Sequence, residues 1–181
     1  MHNFLINKNK LGFTMIELLV ATGIVMIMAV ASIPVLNRYT KKSAIDQTTQ
    51  KLEGALGLIQ SKALSGVAYI DPTSSVAKPA YWGFACSGTN QYWLGHSLDD
   101  APKDSIPDGF GNDLNATLPA LTNFTGCSGV SRPIYFERFT GKLVDYSGAY
   151  LPSATVRIVH AQDAAISRTI QISSGGKIET N

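Results

Sequence analysis

The sequence LLVATGIVMIMAVASIPVL, residues 18–36, is 19 residues long and contains no charged side chain. As an α-helix, at ~1.5 Å per residue, it would span roughly 28 Å, close to the ~30 Å hydrocarbon core of a bilayer. The apolar run of a cleaved secretory signal is shorter, ~7–15 residues, and small residues follow it. Ala29-Val30-Ala31 resembles such a cleavage site, so an ordinary signal peptide stays as the alternative. The length of the run favours a membrane-spanning helix over residues 13–36.

The whole chain has the size of one domain with an appended segment. It has 181 residues, of which 45% are hydrophobic and 15% charged, with a net charge of +2 and a mean hydropathy of +0.07. The low hydropathy excludes a polytopic membrane protein, and the small net charge excludes a strongly basic nucleic-acid binder. Lys8 and Lys10 precede the apolar run, whereas Arg38, Lys41 and Lys42 follow it. The positive-inside rule alone therefore does not orient the segment.

A single acidic residue, Glu17, lies at the start of the apolar run. A carboxylate in a membrane is costly unless it is paired, and no Lys, Arg or His lies between Lys10 and Arg38. Cleavage between Gly12 and Phe13 would create a positively charged α-amine four residues from Glu17, about 6 Å along a helix. This amine would neutralise the carboxylate within one subunit or between neighbouring subunits of an assembly. The alternative is that Glu17 extends to the lipid headgroups.

The residues around this glutamate resemble the processing site of type IV prepilins and of the pseudopilins of type II secretion. Residues 10–19, KLGFTMIELL, combine the end of a short basic leader, a glycine, an aromatic residue and a glutamate at the fifth position after the glycine. The resemblance implies a leader peptide of residues 1–12, cleavage between Gly12 and Phe13 by a prepilin peptidase, and N-methylation of Phe13. It also implies that Glu17 sets the register of subunits during assembly.

Pro34 stands where pilin helices usually carry a proline, so the resemblance gives it a part in assembly too. Because proline has no backbone donor, it leaves the Val30 carbonyl without its helical partner and predicts a kink. Residues 37–66 predict an amphipathic helix, which would make the whole helix continuous over residues 13–65. Its apolar stripe, at helical spacing, comprises Ile45, Leu52, Leu56, Ile59 and Ala63.

Residues 67–181 are predicted to form an antiparallel β-rich head packed against the helix, which makes an α+β fold. Turns are expected at residues 163–165 and 174–176, and a long polar loop is expected between residues 97 and 125. The predicted strands are Tyr81–Phe84, Gln91–Leu94, Pro133–Phe136, Thr155–Val159, Thr169–Ile172 and Lys177–Glu179.

The end of the chain resembles GspH/FimT-type minor pilins, less specifically than the N-terminal motif resembles prepilins. This resemblance implies a β-sandwich-like head packed on the upper half of the helix, and it favours a minor over a major subunit. The residues that carry it are Ile134-Tyr135-Phe136, Thr140-Gly141-Lys142-Leu143, Val156-Arg157-Ile158-Val159, Thr169-Ile170-Gln171-Ile172 and Gly175-Gly176-Lys177-Ile178.

Cys86 and Cys127 are the only cysteines of the chain. In an exported domain we expect them to form a disulfide that closes a loop of about 40 residues; two buried thiols are the alternative. A disulfide would place the head in the periplasm. The chain would then be a single-pass inner-membrane protein before it enters a pilus or pseudopilus.

No catalytic constellation is visible in the sequence. It has no phosphate-binding loop and no nucleophile elbow, so we expect a structural subunit without cofactor or metal, and not an enzyme such as a signal-anchored hydrolase. Carboxylates between residues 99 and 113 offer oxygen ligands for calcium, but their spacing is not that of an EF-hand, and a solvated loop is the favoured interpretation. These residues are Asp99, Asp100, Asp104, Asp108 and Asp113.

The expected partners are the prepilin peptidase, other pilin or pseudopilin subunits and the inner membrane. The alternative function is a DNA- or surface-binding tip subunit that acts in DNA uptake or adhesion. DNA binding is disfavoured because the last five residues, 177–181, contain one basic side chain, Lys177, and because residues 67–181 carry a net charge of −2. A type IV pilus and a type II secretion pseudopilus are both compatible with the sequence.

Overall fold

The computed structural model describes residues 13–70, 77–78, 81–87, 90–97, 110–128 and 133–181. They fall into two units, one ending at Thr40 and one beginning at Lys41. The described residues form one helix, α1 (Met15–Leu64), which runs through both units, and eleven strands of the second unit. These strands are β1 (Tyr69–Ile70), β2 (Ala77–Lys78), β3 (Trp82–Ser87), β4 (Gln91–Ser97), β5 (Phe110–Thr117), β6 (Thr122–Ser128), β7 (Ile134–Phe136), β8 (Leu143–Val144), β9 (Ser153–His160), β10 (Asp163–Ser173) and β11 (Ile178–Thr180).

The C-terminal end of α1 has a specific cap. Gly66 adopts a φ of 64°, and its N–H donates to the Ala63 carbonyl at 3.1 Å. The next N–H, that of Val67, donates to the Lys62 carbonyl, also at 3.1 Å. This pair of bonds is a Schellman motif, which glycine favours because it tolerates a positive φ. The helix therefore ends one residue before the predicted position.

The C-terminal half of α1 buries the predicted apolar stripe. Each of its five residues is at most 3% exposed, and Leu56 and Ala63 are fully buried. Thr48 and Thr49 lie on the same buried face, where each hydroxyl donates to the carbonyl four residues earlier at 2.8 Å. A fully buried Leu or Ile side chain contributes about 1.5–3 kcal/mol, so the stripe is a major part of the core.

Two antiparallel sheets share this core with α1. One has the order β5-β4-β3-β7-β8 and the other the order β11-β10-β9-β6, while β1 pairs with β2 alone. Phe84 and Phe136 from the first sheet, and Ile158 and Ile170 from the second, belong to the same buried cluster as the helix stripe. The predicted α+β fold, with a long N-terminal helix and an antiparallel β-rich region, is confirmed.

The prediction of one long loop between residues 97 and 125 is wrong for its second half. Residues 110–117 form β5, which pairs with β4 through registers such as Leu114 opposite Leu94. Residues 122–128 form β6, which pairs with β9. Both strands were not predicted because Asn and Asp have a low intrinsic preference for strands. Pairing with a neighbouring strand overrides this preference in the folded chain.

The last hairpin turns earlier than predicted. Its turn is Ala161–Gln162, and Asp163 already pairs with His160, while a register shift follows between Asp163 and Ser167. The N–H of Gln162 donates to His160 Nδ1 at 3.2 Å, and the N–H of Ala161 donates to the Leu121 carbonyl at 2.8 Å. The predicted turn at 163–165 is thus wrong by two residues. The final strand, β11, begins one residue later than predicted.

Three side chains of α1, seven residues apart, bond the C-terminal strands and their turn. Asp46 forms an ion pair with Arg168 of β10 at 2.9 Å. Glu53 accepts a hydrogen bond from the Thr180 hydroxyl at 3.1 Å, and Gln60 Nε2 donates to the Gly176 carbonyl at 2.7 Å. The helical face that carries these contacts fixes the end of the chain on α1. We call them the three helix contacts.

Two glycines, Gly141 and Gly176, permit the third of these contacts. They adopt φ values of 67° and 80°. A Cβ on Gly176 would collide with the carbonyl oxygen of Gly141 and with Gln60 Nε2, and a Cβ on Gly141 would lie 2.9 Å from Leu64 Cδ2. The β10–β11 turn therefore approaches the helix more closely than any side chain at these positions would allow.

Replacing Gly176 with Ala is expected to destabilise the head by about 2 kcal/mol or more, because the new Cβ meets backbone and the φ is unfavourable. Urea unfolding of the full chain in detergent, followed by tryptophan fluorescence, measures this change. Gly175→Ala is the matched control, since nothing lies within 4 Å of its Cβ position. Equal stability of the two variants would contradict the prediction.

Candidate functional site

The first turn of α1 is capped by Thr14. Its Oγ1 accepts a hydrogen bond from the Glu17 N–H at 3.3 Å, and its carbonyl accepts one from the Leu18 N–H at 3.2 Å. Thr14 is therefore the N-cap, and Glu17 lies at the third helical position, the spacing of a capping box. This role was not predicted from the sequence, although Thr-x-x-Glu ahead of an apolar run is its known signal.

Glu17 lies where the electrostatics of the helix end are favourable for an acidic side chain. It lies in the first turn of α1 and is exposed. The unpaired N–H groups at a helix N-terminus carry a partial positive charge, which favours a carboxylate by about 0.3–1 kcal/mol. This is well below the ~2.5–3.5 kcal/mol that insertion measurements assign to a charged side chain at a bilayer centre. The helix end therefore offsets only part of the cost of this charge.

Phe13 and Glu17 lie on one face of the first unit. They line a shallow groove of about 430 Å³ in which every other lining side chain is apolar, and Phe13 is 81% exposed. The structure thus brings together the two residues that the sequence singled out. The groove is lined by Phe13, Ile16, Glu17, Val20, Ala21 and Ile24.

The apolar part of α1 is not covered by any described part of the chain. None of its most apolar 18-residue window is buried, although the mean hydropathy of that window is 2.4. A second groove, of about 720 Å³, runs along it from Met28 to Tyr39. A helix that is apolar on all sides must be covered by lipid or by other helices. α1 is also long and apolar enough to cross a membrane.

The other residues singled out by the sequence are distributed over both units. Gly12 lies outside the described residues. Pro34 lies inside α1, and its predicted kink stays a prediction. Cys86 is on β3, 6% exposed and disulfide-bonded. Cys127 is on β6, but its side chain is outside the described part, so its pairing with Cys86 stays a prediction.

The acidic residues considered for calcium lie mostly outside the described residues, and only Asp113 is placed, on β5. Where the structure describes the chain, no three His, Cys, Asp or Glu side chains are arranged to hold a metal ion. Near the C-terminus, Lys177 forms an ion pair with Glu179. The single basic side chain of that end is thus already next to a carboxylate.

Two comparisons with known proteins give a match, one for an N-terminal segment of the sequence and one for the fold. Residues 7–33 match the family model described as the prokaryotic N-terminal methylation motif. The fold resembles the crystal structure of the type IV minor pilin FimU of Pseudomonas aeruginosa PAO1, with a TM-score of 0.53 and 16% sequence identity. The alignment covers 79% of this chain and 92% of that one. No curated protein matches the sequence.

Replacing Thr14 with Val is expected to weaken the first turn of α1 by about 1 kcal/mol, because the Glu17 N–H loses its acceptor. Amide exchange at Glu17, measured by NMR on the full chain in micelles, is then several-fold faster. Thr22→Val is the control, since the Thr22 hydroxyl only donates, to the Leu19 carbonyl. Unchanged exchange at Glu17 in the Thr14 variant would show that Thr14 is not the cap.

Proposed function

We propose that this chain, a type IV pilin-like protein by its N-terminal motif and its fold, is a minor structural subunit of a type IV pilus or of a type II secretion pseudopilus. In this proposal the chain is not an enzyme. It is made as a precursor, processed by a prepilin peptidase and assembled through the N-terminal half of α1.

One observation carries the proposal: a carboxylate that belongs to a prepilin-like motif lies on an apolar helix that no described part of the chain covers. Glu17 shares its groove with apolar side chains alone, and the sequence offers no basic side chain between Lys10 and Arg38. The core helix of a soluble protein would have its apolar side covered by the rest of the domain. In an ordinary membrane anchor, an acidic side chain would be unfavourable and would serve no function.

Cleavage between Gly12 and Phe13 supplies the missing cation. It converts the amide nitrogen of Phe13 into an α-amine, which N-methylation leaves positively charged. Since Phe13 and Glu17 are both exposed on one face, the amine of one subunit can pair with the carboxylate of the next. Buried charges are tolerated when they are paired and are strongly unfavourable when they are not. The ion pair therefore favours one helix register.

In this proposal the apolar segment of α1 is buried first in lipid and later among other helices. Before assembly it crosses the inner membrane, with the head on the periplasmic side, as a disulfide at Cys86 favours. In the filament, the helices of neighbouring subunits replace the lipid. Pro34 lacks one helical hydrogen bond, and we assign it the local bending of α1 during this transfer.

The alternative, a DNA- or surface-binding tip subunit, has less support. DNA binding near the C-terminus would depend on Lys177, which is paired with Glu179. Phosphate contacts need several uncompensated cations, because each contact adds to affinity by releasing counterions. A structural subunit is therefore the better supported function.

Mass spectrometry of the mature chain from its native host is expected to give Phe13 as the first residue, with one added methyl group. Peptide-bond cleavage at this position is what creates the cation for Glu17. Deletion of the prepilin peptidase is the control and should leave residues 1–12 in place. A mature chain that starts at any other residue would contradict the proposal.

Replacing Glu17 with Gln is expected to reduce incorporation into sheared filaments by about tenfold or more, because the inter-subunit ion pair is lost. Immunoblots of filament and membrane fractions measure it, and processing at Gly12–Phe13 should continue. Glu179→Gln, which removes an exposed acid of the head, is the matched control. Normal incorporation of the Glu17 variant would refute the assembly role.

A further inference from the structure

The hairpin turn between β7 and β8 presents a protruding aromatic side chain. Phe139, in this turn, is 70% exposed and has a φ of 63°. A positive φ is unfavourable for a residue with a bulky side chain, since Cβ then crowds the backbone. The fold therefore maintains an unfavourable backbone conformation that places a large apolar ring in solvent.

Contacts with the end of α1 fix Phe139 in this position. Its N–H donates to the Ala63 carbonyl at 3.1 Å, and its ring lies over Gly66, where a Cβ would be 2.9 Å from Phe139 Cζ. Within the turn, the Gly141 N–H donates to the Glu137 carbonyl at 2.9 Å. A ring already fixed before binding loses little conformational entropy when a partner covers it.

Arg138 lies between the rings of Tyr81 and Phe139, and the same turn carries Lys142, which lies over the exposed ring of Tyr150. The Arg138 guanidinium lies 5.8 Å from the Phe139 ring, and Lys142 Nζ lies 5.2 Å from the ring of Tyr150, which is 60% exposed. We call these four residues, Arg138, Phe139, Lys142 and Tyr150, the Phe139 surface.

The nearby acid, Glu137, is already engaged within the head. It accepts hydrogen bonds from the Thr140 hydroxyl and, at 2.8 Å, from the Tyr150 hydroxyl. These bonds lower the pKa of the Glu137 carboxyl. Its oxygens are held by hydroxyl donors within the head, and the positive charge of Lys142 lowers its pKa further.

We propose that the Phe139 surface binds the head of an adjacent pilin-like subunit, at an apolar recess with carboxylates on its rim. The inference rests on the proposed function. Aromatic residues and Arg dominate the strongest contacts of protein interfaces, and a protruding ring requires a recess. Acids on the partner would complement the two cations of this turn, and such complementarity selects the docking orientation.

The place of the surface in the fold supports this partner. Ala63 and Gly66, which support Phe139, are at the C-terminal end of α1. When the helices of an assembly lie side by side, the heads attached to them are neighbours, so this end of α1 is within reach of the next head. Single-stranded nucleic acid fits less well, because the surface offers only two cations and has a carboxylate beside them.

Photo-crosslinking in the native host tests the contact with the full chain. A benzoylphenylalanine at position 139 is expected to crosslink at least about tenfold more than one at position 121. Leu121 is the matched control, since it is 50% exposed and also has a positive φ, of 69°. Mass spectrometry should place the crosslink in the head of another chain that carries an N-terminal methylation motif.

Equal crosslinking at positions 139 and 121 would overturn the proposal. Crosslinks from position 139 to nucleic acid, to lipid or to a protein without the methylation motif would overturn it too.

A second measurement separates binding from folding. Phe139→Gly removes both the ring and the unfavourable φ, so the Tm of the full chain should be unchanged or higher. Incorporation into filaments should nevertheless fall by about tenfold, with normal processing at Gly12–Phe13, and Arg138→Ala/Lys142→Ala should reduce it as well. Leu121→Gly is the control, with normal incorporation expected.

Normal incorporation of the Phe139→Gly chain would overturn this inference alone, and the Glu17 variant would still report on the proposed function. A wild-type chain absent from filaments would overturn both.

Discussion

The burial of one helical stripe against two sheets is the contact on which the rest of the molecule depends. Leu56 and Ala63, with no accessible surface, lie where α1 meets side chains from both sheets. This stripe starts at Ile45, and every described residue before Lys41 is exposed. The head therefore buries apolar side chains of the second half of α1 only. The first half, which is the more apolar, is covered by no described part of the chain.

Local patterns were enough to predict the helix and its buried face. The spacing of five apolar residues identified the stripe, and Gly66 marked the end of the helix, since a glycine after an apolar helix favours a Schellman motif. β5 was missed because Asn112, Asp113 and Asn115 have little preference for strands, and its pairing with β4 is set by distant residues. The turn at 161–162 contains no glycine or proline, and its bond to the Leu121 carbonyl is equally non-local.

The site was predictable to a similar degree, and for the same reason. Phe13 and Glu17 followed from a continuous motif, and Thr14 was readable from the same ten residues. The roles of Gly141 and Gly176 were not, because each is defined by atoms of a distant segment. The positive φ of Phe139 likewise depends on the Ala63 carbonyl. Residues whose role depends on long-range contacts are those that sequence patterns leave unexplained.

The three helix contacts have a mechanical consequence. Asp46, Glu53 and Gln60 hold Arg168, Thr180 and Gly176 at successive seven-residue steps along one face of α1. A pulling force along the helix axis would act on all three contacts at the same time, which is loading in shear. In peeling, by contrast, the contacts would be loaded one after another. Rupture in shear requires several bonds to break at once. A subunit built this way would transmit tension from its helix to its last strands without first unravelling at its C-terminus.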